Sequence, residues 1–356
     1  MDDPRIMPLS QDDIDAGQLS SSLAALFTDA GLSAERATIL ADILIDSDLR
    51  GVPSHGCMHA PIYLKRLYDG TLSCLGHPET VIDFGAIAVQ DGHAMMGHLA
   101  ALDAMEMAIT KARAHGIGLV ALRNAGHFGA AASYARRATG KNCVGIVMGN
   151  ATALIAAPGG AERLTGTNPL AIGLPGEGTD PVVLDMAMSE AAFGRIRMAK
   201  RKGVPIPPGW ALGPDGQPTT DPDQALIGLL QPIGGHKGFG LSVMIDLLCG
   251  LLSEGPHGPD VPGLYDALDR PLTYSLICLA IDIAAFRAID GFKADVAAYA
   301  ERVRRSRTVP GAPSIAMPGD GSAARCAKSK GRVRLEPALK AQLTDLACQR
   351  GLDLAF

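Results

Sequence analysis

Aromatic side chains are scarce: eight Phe, six Tyr and one Trp make up 4% of the 356 residues. That excludes a nucleic-acid platform built on base stacking. Excess positive charge is also missing, since 32 Lys and Arg stand against 37 Asp and Glu for a net charge of −5, so there is no basic footprint for nucleic acid. Long apolar runs are lacking as well. The most hydrophobic stretch, 274–286, is broken by Asp282 and is too short to span a bilayer. The amino-terminal stretch MDDPRIMPLSQDDID is acidic and has neither the basic region nor the apolar segment of a secretory signal. The seven cysteines, Cys57, Cys74, Cys143, Cys249, Cys278, Cys326 and Cys348, contain no C-x-x-C pair and read as reduced, mostly structural thiols. These absences predict a soluble cytoplasmic protein with no nucleic-acid or membrane partner. No H-E-x-x-H, carboxylate cluster or zinc-type spacing is present, which predicts no metal. A G-x-S-x-G elbow and a strand–turn–helix G-x-G-x-x-G are missing too, which argues against an α/β-hydrolase and an ordinary Rossmann domain.

What the chain has in quantity is glycine, 42 residues, and a 47% hydrophobic content that suffices for a sizeable core. Leu23, Leu26 and Phe27, then Ile39, Leu40, Ile43 and Leu44, fall at helical spacing on either side of a break at 31–33, with Ser33 as the N-cap. Together with PIYLKRLYDG they predict a helical unit over 1–78 that packs with the carboxy-terminal segment. From 79 to 285 strands and helices alternate, which predicts a mixed α/β layer. TVIDFGAIAVQDG reads as a strand, GHLAALDAMEMAITKARAHG as a helix ended by Gly116, and GIGLVALR, CVGIVMGN, PLAIGLP and PVVLDMA as further strands. Residues 199–224, dense in proline and glycine, read as a long ordered loop of the kind that carries function. GGHKGFG opens an apolar helix bearing Leu241, Met244, Ile245, Leu248 and Leu251, a buried strand follows, and 286–356 form a carboxy-terminal helical segment.

Histidine is the side chain most readily poised for proton transfer near neutral pH. His55, in Arg50-Gly-Val-Pro-Ser-His-Gly56, follows a helix on a tight turn beside Ser54; it reads either as a proton donor oriented by that hydroxyl or as a turn histidine satisfying a local carbonyl. His127, in Asn124-Ala-Gly-His-Phe-Gly129, lies at a strand-to-helix junction, where it reads as an anion-site residue or a helix cap. His236 and Lys237 occupy a second such junction, suited to a pyrophosphate. His93 and His98 flank a turn at Gly97 and read as structural. Asp185 ends an apolar strand, where it contacts a ribose or caps the next segment. Thr167 and Asn168 of GTNP bind a ligand or shape the turn.

Taken in order, DLRGVPSHG, RNAGHFGAAASYA, LTGTNPLAIGLP, VVLDMAMS, PPGWALGPDGQPTTDP and PIGGHKGFGLSVMIDLL resemble the motifs of the type-2 malate/L-lactate dehydrogenase family, from about Leu19 to about Ala324. The resemblance implies an α/β (α+β) non-Rossmann fold, with a helical N-terminal unit plus a mixed-sheet domain over 79–285 that binds NAD or NADP. It also implies a homodimer and a 2-hydroxy acid such as malate, lactate, sulfolactate or ureidoglycolate as substrate, or alternatively a cyclic imino acid. On it, His55 is the proton donor and Ser54 its support. Cofactor contacts fall on His127, Phe128, Gly129, Ala130 and Ala131, on Asp185, Met186 and Ala187, on His236 and Lys237, and on Gly319, Asp320 and Gly321. Thr167 matches a substrate contact.

Three positions depart from the family pattern. His59 stands four residues after His55, where many members have an arginine that clamps the substrate carboxylate. Met188 replaces a frequent threonine. Arg195 stands where a lysine or an acidic relay residue is common, and is read as part of the catalytic set, able to supply the carboxylate contact that His59 does not fully make. The same departures keep a rival reading in view, that of a homologue that binds nucleotide without turning over.

Overall fold

Asp15 and Ser33 start the first two helices by accepting backbone N–H groups through their side chains, from Gly17 and Gln18 at 2.9 and 3.2 Å and from Arg36 at 3.3 Å. Each thereby satisfies donors that a helix N-terminus otherwise leaves orphaned. The chain, seen in a computed structural model, is described at residue 10 and over 12–178, 181–266 and 268–354. Most of the acidic amino-terminal stretch, 1–9 and residue 11, lies outside the described residues, as do the last two residues of the carboxy-terminal segment. Helices α1 (Ala16–Asp29) and α2 (Ala34–Leu49) bury Leu19, Leu23, Leu26 and Phe27 against Leu40 and Leu44, with Tyr63 and Leu64 of α3 (Ala60–Tyr68) in the same core.

The segment read as one strand after 79 is a hairpin, β1 (Glu79–Phe84) and β2 (Ile87–Asp91), because Gly85 takes φ 53° and turns the chain back. Then come α4 (Gly97–His115), β3 (Ile117–Ala125), α5 (Ala132–Thr139), β4 (Cys143–Gly149), β5 (Leu170–Leu174) and β6 (Val182–Met186). The proline-rich stretch is more regular than a loop. It opens inside α6 (Phe193–Lys202), supplies Ala211–Leu212 and Pro218–Thr219 to a small antiparallel sheet completed by Leu229–Leu230, and ends in α7 (Pro222–Ile227). Its Ile206, Ala211 and Ala225 join Ile155, Ile196 and Leu230 in a satellite core, and that burial orders it. Next are α8 (His236–Ser253), β7 (Tyr274–Asp282), α9 (Ile289–Arg304), α10 (Asp320–Ser329) and α11 (Pro337–Gln349). The short strand Arg332–Val333 returns to pair with Ile14–Asp15, and Leu343 and Ala347 of α11 enter the core of α1 to α3.

The main sheet has the order β1-β2-β3-β7-β4-β5-β6, with β2 and β3 parallel and the other neighbours antiparallel. Alternation along β3 and β7 divides its faces. Val120, Leu122, Leu276 and Cys278 face the core that holds α4, while Ala121 and Ile277 meet Ile245 and Cys249 of α8. Among the described residues no helix is long and apolar enough to cross a membrane.

Candidate active site

The turn that carries His55 begins where α2 stops. Two short 3-10 turns, Pro53–His55 and Cys57–His59, follow each other, and the Asp48 carboxylate of α2 accepts the Cys57 N–H at 2.8 Å between them. A Cβ on Gly56 would lie 2.4 Å from that carboxylate, so the turn requires glycine. Burial pushes the Asp48 carboxyl up to about 6, and its hydrogen bonding with Cys57 works against the rise. Ser54 Oγ sits 3.0 Å from His55 Nδ1.

Three further histidines surround this one. The His127 ring stacks 6.1 Å from that of His55, His59 meets His127 edge-on at 5.5 Å, and His98 meets it at 6.2 Å from below. Tyr63, one turn after His59 on α3, hydrogen-bonds His127 Nδ1 through its hydroxyl at 2.6 Å and packs its ring on His98 at 5.2 Å. Burial is the first cause of depressed histidine pKa values throughout: it takes His55 down to about 4 and His98 to about 3, moves His127 well below its ordinary value, and lowers His59. Each of His55, His98 and His127 is lowered further by neighbouring imidazoles. The cluster is therefore neutral at neutral pH. Among the described residues no three His, Cys, Asp or Glu side chains are placed to hold a metal ion.

His59 can be assigned a tautomer. Its Nε2 lies 2.7 Å from the Ser54 carbonyl, which only accepts, so the proton is on Nε2. Nδ1 then accepts the Tyr265 hydroxyl at 2.6 Å. The cation beside this pair is Arg197 on α6, its Cζ 5.1 Å from the centre of the Tyr265 ring. Arg195, two residues earlier, is exposed and lies over Trp210, with Cζ 6.0 Å from that ring. The start of α6 rests on the His55 turn, since a Cβ on Gly194 would be 3.5 Å from Ser54 Cβ.

Residues 127–131 lead from β3 into α5. Gly129 has φ 70°, and a Cβ there would fall 2.5 Å from His98 Nε2, so the buried imidazole forms the floor of this loop. Phe128 packs beneath β4, its carbonyl accepting the Tyr134 hydroxyl, while Ala130 and Ala131 are buried. Asp185 reaches across from β6, and its carboxylate accepts the Ala132 N–H at 3.2 Å. It thus caps α5 rather than the segment that follows it in the chain. Although the side chain is open at its surface, the protein packed round it pushes the carboxyl up to about 6, against the pull of the Ala132 N–H and the Arg136 guanidinium.

Thr167, Met188 and the loop before α8 are laced together by the backbone. The Met188 N–H donates to the Thr167 carbonyl at 2.7 Å, and the Ile233 N–H to the Met188 carbonyl at 2.9 Å. Beneath Thr167, Asn168 is wholly buried, donating to Thr165 Oγ1 at 2.8 Å and accepting the Ala151 N–H at 2.9 Å, so it shapes the turn. Past Ile233 the chain runs through Gly234 and Gly235, with φ 59° and 64°, into exposed His236 and Lys237 at the start of α8, which has no side-chain cap. Met186 and Ala187 lie between Asp185 and Met188, half-buried. The turn with Gly319, Asp320 and Gly321 comes to the same sheet edge, Val183 N–H donating to the Pro318 carbonyl at 3.1 Å. Asp320 itself is bound to Arg304 at 2.7 Å.

The structure therefore gathers His55, Ser54, His59 and His127 at one cluster and joins Asp185 to the 127–131 loop and Met188 to Thr167. His98, which reads as structural, is the floor of the 127–131 loop. Sequence reading misses three other members, of which Tyr63 carries a legible signal, one helical turn from His59. Tyr265 and Arg197 have no local signal, because they come from other elements.

The malate/L-lactate dehydrogenase family matches residues 14–344. A malate/(S)-sulfolactate dehydrogenase of Methanothermus fervidus is 33% identical, the match covering 92% of this chain and 94% of that one. An NAD(+) ureidoglycolate dehydrogenase of Escherichia coli is 33% identical over 82% of each chain. In three dimensions the sulfolactate dehydrogenase of Methanocaldococcus jannaschii superposes with a TM-score of 0.90 at 33% identity, covering 96% of this chain and 98% of that one.

Proposed function

The chain belongs to the malate/L-lactate dehydrogenase family, and from that premise we propose that it moves hydride between NAD or NADP and the C2 carbon of a small 2-hydroxy or 2-oxo acid, with His55 handling the proton. The Ser54–His55 pair carries this reading: Ser54 engages Nδ1 at 3.0 Å, which leaves Nε2 of the half-buried ring for a ligand. When bound, the nicotinamide accepts hydride in oxidation and supplies it in reduction. In oxidation, neutral His55 takes the C2 hydroxyl proton on Nε2 as hydride leaves C2, and the imidazolium keeps its Nδ1–H on Ser54 Oγ. Reduction returns that proton to the carbonyl oxygen.

The residues present suit a dinucleotide. Gly234 and Gly235 bare the amides at the start of α8, His236 and Lys237 flank them, and a helix N-terminus with a lysine favours a diphosphate. The 127–131 loop, the segment from Asp185 to Ala187 and the turn with Gly319, Asp320 and Gly321 would complete the cofactor side, with Thr167 and Met188 toward the substrate. Seven unpaired cysteines fit a cytoplasmic location. An exposed apolar stripe on α8 supports a homodimer.

Initial rates with NADH and NADPH against pyruvate, oxaloacetate, sulfopyruvate and cyclic imino acids test the reading. A 2-oxo acid is expected to turn over, and His55→Ala to lower kcat about 10²–10⁴-fold, the usual contribution of a general acid or base, with little change in the dissociation constant of the nicotinamide cofactor. Turnover of imines alone would move the substrate class. Cofactor binding with no turnover would favour the nucleotide-binding homologue, and near-normal turnover by the variant would remove His55 from the mechanism.

A further inference from the structure

His59 stands where the family resemblance leads one to expect a carboxylate clamp, yet its surroundings leave it nothing to clamp with. Nε2–H is given to the Ser54 carbonyl at 2.7 Å, and the Nδ1 lone pair takes the Tyr265 hydroxyl at 2.6 Å. With both nitrogens engaged and the ring 8% exposed, His59 offers a ligand neither a free donor nor a charge. It latches the loop of Tyr265 to the turn of His55. A substrate acid entering beside His55 still needs a cation, because a carboxylate withdrawn from water without one loses most of its solvation.

Helix α6 brings several cations near this turn, and their contacts separate them. Lys200 is paired with Asp223 at 2.5 Å, and Arg201 holds Glu336 with two hydrogen bonds, at 3.1 and 2.5 Å. Arg195 lies on Trp210. Arg197 instead stacks between Phe193 and Tyr265, 5.1 Å from each ring centre, on the side from which its charge reaches His59. No described carboxylate pairs with it. Its exposed guanidinium lies against two aromatic faces and hydrogen-bonds the Tyr265 side chain, and its other N–H groups suit recognition of a carboxylate.

We propose that Arg197 receives the substrate carboxylate, replacing the clamp that His59 does not supply, and that the Tyr265–His59–Ser54 chain of hydrogen bonds ties it to the proton-transferring turn. The inference rests on the hydroxy-acid reading above and names its carboxylate subsite. It makes Arg197 a specificity residue contributed by an element remote in sequence from His55.

The experiment compares wild type with Arg197→Ala, Arg197→Lys and Arg195→Ala, using the preferred 2-oxo acid and its uncharged amide, and separately titrates the NADH-loaded proteins with oxalate. Arg197→Ala is expected to lower kcat/KM for the acid about 10–100-fold, as for a lost hydrogen-bonded contact to a charged group, chiefly through KM. The amide should be almost unaffected, oxalate affinity should fall by a similar factor, and Arg197→Lys should restore part of both. A purely structural defect would lower acid and amide together. Unchanged acid-over-amide preference in Arg197→Ala overturns the inference while sparing the function, as does loss of that preference in Arg195→Ala alone. If wild type reduces no 2-oxo acid, the functional reading fails, and the oxalate titration still decides whether Arg197 is an anion site.

Discussion

At the scale of residues, the site is governed by burial without charge. The imidazoles of His55, His59 and His98 each lie within 5.5–6.2 Å of that of His127, and a second protonation would meet both desolvation and repulsion. The pKa of His55 is accordingly depressed, to about 4. On the proposed mechanism oxidation requires His55 to accept a proton, so activity is present above that value and lost as pH falls through it. The kcat/KM profile for oxidation should have no acidic limb between pH 5 and 7, whereas an ordinary histidine would place one near 6.5. A limb at 6 to 6.5, in protein that remains folded by circular dichroism, would show that the ligand-free site does not hold His55 neutral. The sequence made His55 legible through its neighbours Ser54 and Gly56. It could not show the neutrality of His59, which burial and the nearby Arg197 charge impose against the pull of the Ser54 carbonyl.

At the scale of elements, helix and strand positions follow from local signals. The caps at Asp15 and Ser33 and the left-handed stop at Gly116 begin or end helices where side-chain chemistry and steric freedom demand it. Local signals mislead where tertiary burial overrides them. The order in the proline-rich stretch depends on its satellite core. The 127–131 loop combines both kinds of constraint, with a positive φ at Gly129 and His98 directly beneath it. Gly129→Ala should therefore destabilise the protein by about 2–6 kcal/mol, the strained backbone and the overpacking each costing about 1–3 kcal/mol, and weaken cofactor binding. Combining it with His98→Ala opens the space and should recover part of the loss, a non-additivity that thermal unfolding of the two single variants and the double variant would measure. Strict additivity would mean that the backbone strain alone matters.

For the whole molecule, α8 behaves differently from its sequence pattern. Its apolar content suggests a buried helix, yet only one flank meets the sheet, through Ile245 and Cys249, while Leu241, Met244, Leu248, Leu251 and Leu252 stay 37–56% exposed. A stripe of this kind supports the proposed homodimer. Light scattering after gel filtration is expected to give twice the mass of one chain for wild type and a monomer for Leu248→Glu; a monomeric wild type would contradict the dimer. The sequence by itself determined the class of fold, the alternation of its elements and the turn that presents His55, because caps, glycine turns and hydrophobic periods act over a few residues. Only the tertiary structure decided that Asp185 caps α5, that His98 underlies the 127–131 loop, and that Arg197 rather than His59 is the cation beside the site. Burial, tautomer and pairing depend on which distant elements pack together, and no short stretch of chain encodes that.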